Sequence, residues 1–307
     1  MSDAVLVLGG SGFIGRALVD ALCARGDSVI AASRGAARFN HPAVQTVTGE
    51  FRHPEDFRPL LERSRAVVHL ATTSTPGTSA AQPLREVETN LHLTACLLHA
   101  LQEHPDTELL FLSSGGSLYA DADEPSAETA RVHPRSYHGA GKLAAEAFIS
   151  AWCDQFAGKA VALRPSNVYG PGQPERAGFG IIPAAFGKIL RGEVLHVWGD
   201  GSARRDYIYI DDVIRLCLTI LSSAMASGLQ VVNCASGTSV SLNDLFAEME
   251  TVCGRRLQRS YDRSRAVDAA CIAMDTSLAR GLYGWSAQTD LRTGLGKTWE
   301  QFVRAAA

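Results

Sequence analysis

The chain has 307 residues, 46% apolar and 20% charged, with a formal net charge of −3. That composition is globular rather than disordered. The charge gives no basic field for nucleic acid or an anionic membrane surface, and no apolar run approaches the ~20 residues needed to cross a bilayer. The seven cysteines are odd in number and form no CxxC pair, so neither a disulfide framework nor a metal site is implied. Reduced core thiols of a cytoplasmic protein are the expectation.

Residues 4–8 (AVLVL) form a short apolar run that leads straight into glycines, which is a buried parallel strand and not a secretory signal. An amphipathic helix follows to about Ala24, ended by Gly26, and then a strand at 29–32. Further strands are expected at 66–70, 109–112 and 160–163, with helices at 84–103 and 142–156. This alternation predicts right-handed βαβ crossovers and an α/β fold with a Rossmann-type doubly wound parallel sheet. Near Tyr169 the pattern changes. Gly170-Pro171-Gly172 opens a glycine-rich stretch, followed by helices at 183–191, 211–223, from 241 and from 290, and strands at 194–198, 206–210 and 230–234. The expected organisation is a dinucleotide-binding domain over 1–168, to which some later segments return. Residues 169–307 are expected to form a smaller mixed α/β substrate-binding region.

The segment from Gly9 to Gly15 reads GxxGxxG between strand and helix. Gly9, Gly12 and Gly15 allow the tight turn, the approach of a pyrophosphate and close helix–strand packing, while the helix N-terminus around Phe13 and Ile14 offers free N–H groups to phosphates. The second strand ends in Ser33-Arg34, where an acidic residue would read a ribose 2′-hydroxyl. A hydroxyl and a guanidinium suit a 2′-phosphate, so the cofactor expected is NAD or NADP, leaning to NADP. Glu50 and Phe51 are placed to flank the adenine.

The landmarks GGSGFIG (9–15), VVHLA (67–71), FLSSGGSLYA (111–120), KLAAE (142–146), RPSNVYGPGQ (164–173) and GDGSARRDYIYIDDV (199–213) occur in order across nearly the whole chain. In these the sequence resembles the extended short-chain dehydrogenases that remodel nucleotide sugars, the family of UDP-glucose 4-epimerase. The resemblance implies hydride transfer between a sugar carbon and a nicotinamide, a tyrosine base, and a lysine four residues later that holds the nicotinamide ribose. It places Leu70, Ala71, Thr72, Asn90 and Pro165 along the cofactor and Thr73 at the sugar. It also places Asn167, Arg205 and Arg265 at the substrate diphosphate, and Tyr169 near the nicotinamide face. It implies a homodimer through the helices 84–103 and 142–156.

One position departs from that pattern. Lys142 fits the lysine, but four residues before it stands His138, and Tyr137 is one place too early. Five helical residues turn a side chain ~140° past a full turn. Three readings remain open: His138 is the acid/base, a looser helix start brings Tyr137 in, or the protein binds cofactor without turnover. The hydroxyl partner is displaced as well, since Gly115 stands four before Tyr119. Ser114 and Ser117 are the candidates to orient the reacting oxygen, with Ser117 preferred because Gly115 leaves room beside it. The relatives that dehydrate sugars carry an Asp-Glu pair where this sequence has Gly116-Ser117, so the resemblance implies no dehydration. Epimerisation, most simply at C4, and stand-alone reduction of a keto-sugar are the reactions left.

Overall fold

Apolar five-residue runs without a polar face must be covered on both sides. The computed structural model, which describes residues 3–75, 77–79, 81–121, 124–176, 180–264 and 270–306, arranges them that way. Strands β1 (Ala4–Leu8), β2 (Val29–Ser33), β3 (Val44–Thr48), β4 (Ser64–His69), β5 (Glu108–Leu112) and β6 (Lys159–Pro165) alternate with helices, except that β2 and β3 are joined without one. The helices are α1 (Phe13–Arg25), α2 (Arg58–Leu61), α3 (Pro83–Arg85), α4 (His92–Leu101), α5 (Gly115–Leu118) and α6 (Tyr137–Phe156). The later part carries β7 (Asn167–Tyr169), α7 (Ile181–Arg191), β8 (Leu195–Trp198), β9 (Arg204–Tyr209), α8 (Ile210–Ser222) and β10 (Gly228–Cys234). It ends with β11 (Ser239–Ser241), α9 (Leu242–Cys253), β12 (Arg259–Asp262), β13 (Cys271–Ile272), α10 (Ser277–Tyr283) and α11 (Leu291–Ala306).

The main sheet has seven strands in the order β10-β6-β5-β4-β1-β2-β3, and every pairing in it is parallel. Side chains alternate across a strand, so Val5 and Val7 enter a core shared with α1 and α8. Leu6 and Leu8 enter the opposite core with α4 and α6. The sheet is the doubly wound Rossmann type expected. Its order reverses at β1, flanked by β2 and β4, and ligands of such sheets bind in the crevice at that point.

The smaller region hangs on β9, which pairs with β7, β11 and β13, while β8 and β12 form a separate parallel pair. β10 leaves this region to pair with β6 along its whole length, from Gly228 opposite Lys159 to Cys234 opposite Pro165. Among the described residues no helix is long and apolar enough to cross a membrane.

Two helices differ from expectation in ways that matter for the site. Ser136 caps α6, its Oγ accepting from the Gly139 N–H at 3.1 Å, so the helix begins at Tyr137 and not at 142. The helix expected over 84–103 runs through α3 and α4 but carries a π turn at Glu86–Leu91. Such turns shift side-chain register and gather at functional sites.

Candidate active site

Gly9 has φ 87°, and a Cβ there would lie 2.9 Å from the Ala71 amide nitrogen. A Cβ on Gly15 would strike the Gly9 carbonyl. Both glycines are needed for the loop to fold back between β1 and β4. Gly12 caps α1 without a side chain, which leaves the first-turn N–H groups facing outward. They open on a cavity of about 840 Å3. Its wall brings together all the positions expected at the cofactor, from Gly9, Gly12, Phe13, Ile14 and Gly15, through Leu70, Ala71, Thr72 and Asn90, to Lys142 and Pro165. At the end of the cavity expected to take the adenosine stand Ser33, whose Oγ donates to the Gly35 carbonyl at 2.8 Å, and Arg34, which is exposed. Glu50 is exposed and paired with Arg52 at 3.4 Å, while Phe51 packs on Phe57. The glycine cradle, the outward N–H groups and the buried ammonium of Lys142 fit a dinucleotide.

The other end of the cavity is built on α6. His138 and Lys142 are four residues apart on one helix face, and both are buried at its wall. Tyr137 is 45% exposed and does not line the cavity, because the Ser136 cap commits the helix before it. Lys142 Nζ donates to the Leu112 carbonyl at 2.6 Å and lies 4.6 Å from the centre of the Phe111 ring. His138 Nδ1 is 3.0 Å from Ser74 Oγ, and the His138 amide donates to Ser79 Oγ at 3.2 Å. Asn90 ties this corner together. Its Oδ1 accepts from the Thr73 amide at 2.8 Å, and its Nδ2 donates to Ser74 Oγ at 2.8 Å and Glu86 Oε1 at 2.9 Å.

Burial, with the Lys142 charge adding to it, pushes the His138 imidazole down to about 3. Burial alone takes Lys142 down to about 8, against the opposing charges of Glu86 and Glu146. His69, buried behind Phe111 and bonded to Thr94 Oγ1 at 3.0 Å, is likewise pushed to about 3 by burial and Lys142. Two consequences are measurable. Since both histidines sit below their unfolded value of ~6.5, the unfolded chain binds more protons between pH 3 and 6.5. Their contribution to stability is therefore complete above pH ~6.5 and is lost as pH falls. Each costs ~1.4 kcal/mol per pH unit, or about 4 kcal/mol for both at pH 5. Urea midpoints at pH 7 and 5 should separate by clearly more in the native chain than in a His69→Gln/His138→Gln variant. Cofactor affinity, measured by titration calorimetry, should fall as pH rises through about 8 and Lys142 loses its charge. An unchanged affinity up to pH 10 excludes a role for that charge in binding.

The serines are placed differently from expectation. Ser114 lines the cavity, and Ser117 meets it through a hydroxyl–hydroxyl bond from behind, beside Gly139. The room beside Gly115 is not open to Ser117: the sulfur and terminal methyl of buried Met274 occupy the space a Cβ would take. Gly115→Ser should therefore destabilise by about 1–3 kcal/mol through overpacking, part of it recovered in a Gly115→Ser/Met274→Ala chain. Equal thermal stability of Gly115→Ser and the native chain contradicts this packing. Ser113 also lines the cavity, and its Oγ donates to Glu146.

A second cavity, of about 250 Å3, lies between α7, β8 and β9 and is lined by Asn167, His196, Trp198, Arg205 and Tyr207. Asn167 Nδ2 donates to the Asp206 carbonyl at 2.8 Å, and Arg205 Nη1 to the Arg204 carbonyl at 2.8 Å. Tyr169 lines this smaller cavity and not the large one expected to take the nicotinamide: its ring is buried against Tyr209, and its hydroxyl donates to the Leu291 carbonyl at 3.3 Å. Arg265 lies outside the described residues.

Sequence reasoning missed Glu86, Met274 and the role of Ser74 as a partner of His138. For Glu86 two signals existed: it precedes Asn90 by four residues on a helix, and Gly141 beside Lys142 is a glycine because a Cβ would lie 2.5 Å from Glu86 Oε1.

A doubly wound sheet, a glycine cradle at its switch point and a lysine-bearing helix across the crevice define an extended short-chain dehydrogenase fold. The chain belongs to the NAD dependent epimerase/dehydratase family, whose pattern matches residues 5–235. It is 30% identical to a UDP-glucose 4-epimerase of Mycolicibacterium smegmatis over 97% of both chains. It is 26% identical to a dTDP-4-dehydro-6-deoxyglucose reductase of Escherichia coli over 96% of both. Among solved structures, the UDP-glucose 4-epimerase of Thermotoga maritima with UDP-glucose superposes with a TM-score of 0.92 at 28% identity, covering 99% of this chain and 100% of that one.

Proposed function

We propose that this chain is an NAD(P)-dependent epimerase of a nucleoside-diphosphate sugar, acting at C4 through a transient keto-sugar, with His138 as acid/base. The observation that carries the reading is the shared helix face of His138 and Lys142 at the wall of the large cavity. The ring is held at Nδ1 by Ser74. The glycine loop and Lys142 would hold the cofactor, which when bound supplies the hydride acceptor and donor. Ser114 orients the reacting oxygen, supported by Ser117. Thr73 meets the sugar, and Asn167 and Arg205, with Arg265, take the diphosphate beside the smaller cavity. NAD and NADP both suit this cradle, and exposed Arg34 favours the 2′-phosphate of NADP.

A second reading, NADPH-dependent reduction of a keto-sugar, is favoured by Arg34. The exposed Leu84, Val87 and Phe148 on the helices at 83–101 and α6 support a homodimer through these helices. The test is to incubate the protein with UDP-, GDP- and dTDP-sugars without added reductant and follow anomeric protons by NMR. New epimer signals are expected. Conversion only of keto-sugars with consumption of NADPH supports the reductase. Tight cofactor binding without turnover of either kind rejects both in favour of a binding protein.

A further inference from the structure

The hydrogen bonds around Asn90 fix more than a side-chain position. The Thr73 amide can only donate, so the atom it meets at 2.8 Å is the Asn90 oxygen. Thr73 Oγ1 adds a second contact to the same oxygen at 3.2 Å. The Asn90 amide group therefore points its hydrogens at Glu86 Oε1 and Ser74 Oγ. Ser74 Oγ, in a residue 6% exposed, already accepts from Asn90 and has one hydrogen of its own to place. Among the described residues the acceptor within reach is His138 Nδ1, at 3.0 Å. If Nδ1 accepts, the neutral ring bears its hydrogen on Nε2, in a residue that lines the cavity.

We infer that Ser74, oriented by Asn90, is a positioning residue that sets the tautomer of His138, so that the resting ring carries Nε2–H, which can donate to the carbonyl oxygen of a keto-sugar but cannot take the proton of a sugar hydroxyl until the Ser74 hydroxyl reorients. This rests on the reading that His138 meets the reacting oxygen, and it deepens that reading. A carbonyl oxygen accepts a hydrogen bond and has none to give. A hydroxyl that must surrender its proton needs the opposite tautomer, with Nδ1–H donating to Ser74 and the serine hydrogen left without an acceptor. A buried hydroxyl so stranded disfavours that state by roughly ten- to a hundredfold. For either reaction the consequence is the same: a carbonyl at the reacting carbon meets the resting ring directly, whereas oxidation of an alcohol waits on the rarer tautomer. Imidazole in its neutral form is the species the depressed titration of His138 provides.

The first arm of the test needs no ligand. Nitrogen-15 NMR of the histidine-labelled protein, with His138 assigned by loss of its signals in His138→Gln, should show an unprotonated Nδ1 and a protonated Nε2. In Ser74→Ala the two tautomers should mix, and Ser74→Thr, which keeps the hydroxyl, should restore the native ratio. A protonated Nδ1 in the native protein, or a ratio indifferent to Ser74→Ala, overturns the inference. If Ser74→Ala fails to fold, the native spectrum still decides.

The second arm measures single turnovers in both directions, UDP-4-keto-6-deoxyglucose with reduced cofactor against UDP-6-deoxyglucose with oxidised cofactor, and the dTDP pair likewise. Ser74→Ala should raise the ratio of oxidation to reduction by roughly tenfold or more, and Ser74→Thr should restore the native ratio. A ratio unmoved by Ser74→Ala rejects the link between the tautomer and the direction of reaction. If no member of either pair reacts, the nucleotide-sugar reading fails, while the tautomer stands or falls on the nitrogen shifts.

Discussion

His138→Phe is expected to lower sugar turnover by roughly 10²–10⁴-fold, the contribution of a positioned acid/base, while leaving cofactor affinity nearly unchanged. The glycine cradle and Lys142 do not depend on the imidazole: Gly9 and Gly15 are set by contacts with Ala71 and with each other, and Lys142 is anchored on the Leu112 carbonyl. Phenylalanine keeps the ring volume but offers Ser74 nothing to donate to, a stability cost of about 1–3 kcal/mol that leaves the protein folded. Tyr137→Phe, one residue away, should change the rate by less than about twofold, because an exposed phenol outside the cavity loses only its contact with solvent. Steady-state kinetics of the two variants beside cofactor titrations decide the matter. Retained turnover in His138→Phe with loss in Tyr137→Phe reverses the assignment and implies that the start of α6 rearranges when ligands bind.

Arg164→Leu is expected to be the most destabilising single change near the site. Arg164 is buried, and every nitrogen is used: Nε and Nη2 donate to Glu146 at 3.0 and 2.6 Å, and Nη1 to the Tyr119 hydroxyl at 3.0 Å and the Glu128 carbonyl at 3.3 Å. Tyr119 passes the contact on to Asn233 at 2.7 Å, which joins β10 to the wall behind the cavity. Removing the guanidinium strands the Glu146 carboxylate in the interior, at a cost of ~3–5 kcal/mol. At the usual unfolding entropy per residue this lowers the melting temperature by roughly 5–8 °C. Removing both charges in Arg164→Leu/Glu146→Leu should recover part of the loss, since the desolvation penalty disappears with the pair. Calorimetry of the single and double variants tests this, and a single variant as stable as the native protein shows that the ion pair carries no such weight. Cofactor binding offers a second readout, because Glu146 accepts from Ser113, which lines the cavity.

What could be read from the sequence was what backbone periodicity writes. The inner strands of the parallel sheet are apolar on both faces and stand out as runs such as AVLVL, and the glycine loop follows the first at once. Much of the cavity wall was legible because many of its residues sit at the C-terminal ends of those strands or just beyond, where the fold fixes their direction. The register of His138 with Lys142 was legible too, since four residues on a helix make neighbours. The surroundings of His138 were not. Ser74 lies in an irregular loop, and only tertiary contact with Asn90 gives its hydroxyl a direction. The π turn at Glu86–Leu91 has no periodic signature, because its residues suit an ordinary helix. Met274 reaches Gly115 from a segment that joins the site late in the chain, and a glycine read alone suggests empty space where a partner already stands.

The pairing of β6 with β10 sets a timetable for the chain during its synthesis. Six strands of the large sheet are complete once Pro165 has been made, yet the edge of β6 waits until Gly228–Cys234 arrives. At a translation rate of roughly 5–20 residues per second, that edge stays bare for on the order of several seconds, presenting the unpaired amides and carbonyls of a mostly apolar strand, KAVALRP. An exposed strand of this kind recruits other strands. A chain stopped before β10 is thus a sticky intermediate rather than a small independent nucleotide binder.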